Sequence, residues 1–78
     1  MLLEIITPDK TIYSGEVDLI QLPGLEGSFE ILDQHASLIS VLKKGMIKIR
    51  DNSNKDSFFE INGGVVEVLH NKVLVLAE

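Results

Sequence analysis

His35 is the side chain best suited to moving a proton near neutral pH in this sequence, with Asp33 two residues before it and Glu30 close by. Residues i and i+2 of a strand share a face, so a carboxylate there could orient the imidazole as a general base. Such a base also needs a nucleophile or a water-excluding pocket beside it, and no nucleophile of the chain stands in a recognisable motif. Bracing a loop is the stronger reading of His35. His70 is the other histidine, and a zinc site would need two further ligands that the spacing does not supply.

The remaining candidates are weaker. Gly24-Leu25-Glu26-Gly27 resembles a glycine-rich loop but lacks the Lys-Ser/Thr pair and following helix that cradle phosphate, so its glycines read as turn formers. Glu16 and Asp18 flank Val17 on one face, a pattern more typical of a solvated face than of paired catalytic carboxylates. No catalytic, metal or cofactor-binding residue is expected, and no small-molecule ligand. The chain reads as a binding protein, not an enzyme.

Composition agrees. The 78 residues are expected to form a single domain over 1–78, with a core thinner than that of larger proteins. Cysteine is absent, so neither disulfides nor thiolate ligands reinforce it. A net charge of −5, with seven scattered basic residues, argues against nucleic acid or an anionic membrane surface as the main partner. The longest apolar run, Val73 to Ala77, is far below the ~20 residues that span a bilayer, so no direct membrane insertion is expected. No signal peptide is visible, and a cytoplasmic protein is the default expectation. Yet 45% of the residues are hydrophobic, more than so small an interior can absorb.

The elements that would position these residues are strands. Ile47 and Ile49 alternate with Met46, Lys48 and Arg50; Phe59 and Ile61 flank Glu60; Leu3 and Ile5 flank Glu4. Turn chemistry punctuates them at Thr7-Pro8-Asp9-Lys10, Pro23-Gly24, the polar run Asp51 to Asp56, Gly63-Gly64 and His70-Asn71-Lys72. The reading is an all-β, flattened sandwich of about 8–10 short, mainly antiparallel strands. They fall near 2–6, 11–22, 28–32, 38–42, 46–51, 57–62, 64–69 and 72–77, with a helical turn near Asp33 to Ser37. Ile5, Ile47, Ile49, Phe59, Ile61, Val66 and Val68 are the expected core.

Two runs do not alternate. Leu38-Ile39-Ser40-Val41-Leu42 and Val73-Leu74-Val75-Leu76 are apolar at both parities and so require cover on both faces. The opposite sheet supplies one cover. Loops of the domain or a partner protein supply the other, and the pattern does not say which face is which.

The ordered fragments Ile6-Thr7-Pro8-Asp9-Lys10, Tyr13-Ser14-Gly15-Glu16-Val17, Leu22 through Leu32, His35-Ala36, Leu38-Ile39-Ser40, Lys44 through Ile49, and Ile61 through Val68 resemble the N-terminal domain of F-type ATP synthase epsilon subunits. Val75-Leu76-Ala77-Glu78 resembles the end of that domain. Ser37 departs from the family's usual proline and Glu30 from its frequent glycine. The sequence stops at Glu78, where most members continue into a helical hairpin.

The resemblance implies a β-sandwich that attaches to the gamma subunit and rests on the ring of c subunits. It would turn with both as part of the central-stalk rotor and so couple proton flow to ATP synthesis. It places the protein on the cytoplasmic face of the bacterial inner membrane, as a peripheral part of the synthase. By position, Glu26, Gly27, Ser28, His35 and Ala36 would face the ring and the foot of gamma, and Thr7, Leu38 and Ser40 the gamma side. Without the helices, the chain is expected to couple rotation but not to inhibit through a helical arm. The alternative is a free-standing β-sandwich adaptor of the same family that binds some other protein.

Overall fold

The computed structural model describes all residues from Met1 to Glu78. Six strands follow in order: β1 Leu2–Ile6, β2 Thr11–Gly24, β3 Gly27–Leu32, β4 Leu38–Asp51, β5 Asp56–Leu69 and β6 Lys72–Ala77. The sheet runs β1-β6-β5-β4-β2-β3, and β1 also pairs with the first part of β2, which closes it into a barrel-like sandwich. β1 and β6 are parallel, and every other pair is antiparallel. The all-β sandwich expected from alternation is the fold found.

The strands are fewer and longer than expected, for a geometric reason. A 14-residue strand such as β2, β4 or β5 would extend about 46 Å at about 3.3 Å per residue. The longest dimension of the molecule is 27 Å. Each long strand must therefore bend and serve both layers. The runs at 38–42 and 46–51 are the two halves of β4, and those at 57–62 and 64–69 are the two halves of β5.

Gly63-Gly64, expected as a break between strands, is where the β4–β5 ribbon rolls over. Its register is constant from Leu38↔Val68 to Arg50↔Asp56. The buried parity nevertheless changes, from Leu42 to Ile47 and Ile49 in β4, and from Ile61 to Val66 in β5. Gly63 and Gly64 take φ of 140° and 154°, open only to residues without a Cβ. A Cβ on Gly64 would run into the Leu76 carbonyl, so β6 crosses at this point with no room to spare.

The core is wholly apolar and no polar side chain is buried in it. Ile5, Ile47, Ile49, Ile61, Val66 and Val68 are buried, as expected, together with Leu3, Val17, Ile20, Leu22, Ile31, Val73 and Val75. Phe59 is half-buried and packs on this core. Its ring tilts against Tyr13 at 5.6 Å between centroids, bridging β5 to β2 where no ladder joins them.

The turns follow local chemistry. Thr7 N–H donates to the Lys10 carbonyl at 2.8 Å, and the Thr7 hydroxyl also bonds Lys10. Asp51 Oδ1 accepts from the Ser53 and Lys55 amides, shaping the polar β4–β5 loop. His70 and Asn71 both adopt the left-handed conformation of a tight hairpin. Two expectations shift. The β2–β3 turn lies at Leu25-Glu26, because Pro23 and Gly24 still pair with β3. Asp33 to Ser37 holds a single hydrogen-bonded turn from His35 N–H to the Leu32 carbonyl, not a helix.

Candidate subunit interface

Burial resolves the two runs that were apolar at both parities. In β4, Leu42 is buried and Leu38 half-buried against the core, while Ile39 and Val41 point out, 72% and 51% exposed. In β6, Val73 and Val75 point in and Leu76 points out, with Leu74 beside it on the same face. Cross-strand register then assembles the outer face. Val41 lies opposite Val65, Val65 opposite Leu76, and Leu76 beside Ile6 of β1. The next row is Ile39, Glu67, Leu74 and Glu4. One row is therefore apolar across four strands, and in the second Glu67 lies between Ile39 and Leu74 and Glu4 closes the end.

The opposite layer differs. There Met46 lies across from Glu60, Phe58 from Lys48, and Gln21 from both Lys48 and Glu30, so apart from the Leu19–Leu32 pair its apolar side chains alternate with polar ones. Asp56 takes two hydrogen bonds from Arg50, at 2.8 and 3.2 Å, with Lys48 at 3.7 Å. Arg50 accordingly holds the Asp56 carboxyl below its usual range. That network is solvated and contributes little to stability. The β4–β5–β6–β1 face thus carries an apolar row that is unbroken across four strands, and the opposite layer carries none of that length.

The residues proposed from sequence, His35 and Ala36 excepted, fall around this face. Thr7 lines an open groove of about 750 Å³ with Ile6, Val41, Val65 and Leu76. Glu26, Gly27 and Ser28 line a second groove with Ser40 and Val41. Val41 thus belongs to both. His35 and Ala36 lie in the exposed β3–β4 loop and line neither groove. Leu38 and Ser40 are half-buried; Ile39 and Val41 between them provide the exposed apolar surface. Ile39, Val41, Val65, Leu74 and Leu76 were not singled out as site residues, although the double-parity pattern contained four of them.

Nothing here assembles acid–base chemistry. The His35 ring is exposed and its Nδ1 sits 2.8 Å from the Ala36 carbonyl, not at Asp33. Asp33 instead accepts from Asn71 Nδ2 at 2.9 Å and from the Met1 ammonium at 3.3 Å. The Asn71 bond first, then the ammonium, hold the Asp33 carboxyl below its ordinary value. The Met1 nitrogen also meets the Val17 carbonyl at 3.1 Å and Glu16 at 3.3 Å. Burial lowers its basicity, but the hydrogen bonds to Asp33 and Glu16 outweigh that and raise it.

The model of the ATP synthase delta/epsilon chain β-sandwich domain matches residues 1–78. The chain belongs to this family. It is 41% identical over 97% of its length to the ATP synthase epsilon chain of Chlorobium limicola, of which it covers 86%. It is 47% identical to the epsilon chain of Sulfurimonas denitrificans, of which it covers 58%, so it spans little more than half of some relatives. Its fold superposes with a TM-score of 0.93, at 22% identity, on a chain of the Euglena gracilis mitochondrial ATP synthase, solved as OSCP/F1/c-ring. That match covers 99% of this chain and 49% of the other. A chain of the Tetrahymena thermophila mitochondrial ATP synthase central stalk/c-ring gives 0.84 at 25% identity, over 99% and 62% of the two chains. As a chain of this family, the protein is of a non-catalytic type.

Proposed function

We propose that this chain is a central-stalk rotor component that lays its apolar β4–β5–β6–β1 face against the gamma subunit and rests on the c-ring. In this position it helps carry proton-driven rotation into ATP synthesis. It would lie on the cytoplasmic face of the bacterial inner membrane as a peripheral subunit. The observation that carries this is the unbroken apolar row of exposed Val41, Val65 and Leu76 with half-buried Ile6, on a layer whose counterpart mixes apolar with charged side chains. Burying such a row removes apolar surface from water at about 25 cal/mol per Å², a gain that requires an apolar partner surface opposite it.

The grooves containing Thr7, and Glu26 with Ser28 and Ser40, adjoin the row through Val41 and supply its polar rim. The test is co-purification of the 78-residue chain with gamma, and with gamma bound to the c-ring, from the same cell. Capture by gamma that is lost in Val41→Asp supports the reading. Failure to bind gamma, with retention of an unrelated partner through the same face, would favour the adaptor role instead.

A further inference from the structure

The β3–β4 loop buries nothing apolar to hold its shape: Asp33, Gln34, His35, Ala36 and Ser37 are all exposed. Hydrophobic burial fixes the rest of the sheet, so this segment must rely on hydrogen bonds. Within the loop there are two, the His35-to-Leu32 backbone bond and the His35 ring contact with Ala36. Most of its ties to the rest of the molecule pass through one residue, Asn71.

Asn71 occupies the β5–β6 hairpin at φ 59°, a left-handed conformation that Asn tolerates well. Its Oδ1 accepts from the Gln34 amide at 2.8 Å, and its Nδ2 donates to Asp33 Oδ1 at 2.9 Å. Its own carbonyl accepts from the Leu2 amide at 3.2 Å. Gln34 also sits at positive φ, 62°, a conformation that glutamine adopts only when held. A side chain with one acceptor and one donor at its tip is what this pair of contacts requires.

The loop runs directly into the docking face. Ser37 shares a shallow groove with Ile39, Glu67 and Leu69, at the end of the apolar rows. We propose that Asn71, through paired hydrogen bonds to Gln34 and Asp33, is a positioning residue that presets the β3–β4 loop for docking beside the apolar face. The inference rests on the gamma-docking reading. A loop that must find its shape on each encounter lowers apparent affinity in proportion to the fraction already in that shape. The latch removes that cost before binding.

Asn71→Gly keeps the left-handed backbone and deletes the clamp. Its Gln34 amide should exchange at least about tenfold faster, its melting temperature should stay within a few degrees, and its affinity for the gamma–c-ring subcomplex should fall about tenfold, chiefly in the association rate. Asn71→Asp sets a carboxylate against Asp33 and should bind as poorly. Adding Asp33→Asn to it exchanges donor and acceptor, rebuilds the pair and should restore affinity to within about threefold. Wild-type affinity in Asn71→Gly despite an unprotected Gln34 amide overturns the latch, as does failure of the exchanged pair to rescue. Val41→Asp is the reference arm: if it binds like wild type, the docking face itself is misassigned, whereas weak Val41→Asp beside normal Asn71→Gly isolates the fault to the latch.

Discussion

Val41 stands directly opposite Val65 on the β4–β5 ladder, and both side chains point away from the core. Cross-strand β-branched pairs of this kind stabilise a sheet when something covers them, and in water they leave a sticky surface. Leu76 and Ile6 extend the pair across two further strands. The same ladder, after its rollover at Gly63-Gly64, sends its other face outward with charges between the apolar side chains. One ribbon thus supplies a face for binding and a face for water.

Neighbouring residues of β4 should respond oppositely to charge. Leu38 packs on the core and Ile39 is 72% exposed. Leu38→Lys should cost at least about 2 kcal/mol, since the ammonium replaces packed apolar surface. Ile39→Lys, placed opposite Glu67, should stay within about 0.5 kcal/mol of wild type. Urea denaturation of both variants decides the matter, and equal losses would mean the inward face of β4 is misassigned.

The rollover should tolerate no side chain. Gly64→Ala combines a φ of 154° with collision against the Leu76 carbonyl, and backbone strain alone costs about 1–3 kcal/mol. Gly27, also at positive φ, has open space around its missing Cβ. Gly27→Ala should therefore be the milder change in thermal melting.

A domain of 78 residues at about 0.05–0.15 kcal/mol each has about 4–12 kcal/mol of stability. Ile47→Ala, fully buried between the layers, should remove about 2–5 kcal/mol of it. The circular dichroism melt of this variant should begin below that of wild type by many degrees.

Stability should plateau between weak acid and pH 8. Asp33 and Asp56 titrate below their usual 3.8 in the folded chain, so their contribution is present above that value and fades as pH falls through the lower folded one. The Met1 ammonium titrates above its usual 8.0, so its contribution is present below 8.0 and fades as pH rises through the higher folded value. Asp33→Asn removes a partner from both limbs and should flatten each in a melting-temperature profile against pH.

Much of the fold was legible because alternation encodes a half-buried strand directly. Ile47, Ile49, Ile61 and Val66 were assigned inward, and they are buried. What escaped was continuity. Gly63-Gly64 and Lys43 to Gly45 look like interruptions in sequence, and only the closure of the sheet within 27 Å turns them into bends of single strands. The interface was half legible. Double-parity runs announced that β4 and β6 needed two covers, but which parity faces inward depends on a rollover that local pattern cannot express. The family resemblance points by position to Leu38 and Ser40, whereas the exposed apolar side chains of this strand are Ile39 and Val41. The Asn71 clamp was invisible for a different reason: its partners lie 37 and 38 residues away.

The measurement that bears most directly on the account is the affinity of the folded chain for gamma bound to the c-ring, wild type against Val41→Asp, by isothermal titration calorimetry. Val41 is exposed, so both proteins should melt alike. Val41→Asp should bind at least about 30-fold more weakly, the factor for losing an interface anchor of about 2 kcal/mol. Equal affinities with both proteins folded would contradict the claim that this apolar face is where the rotor is joined.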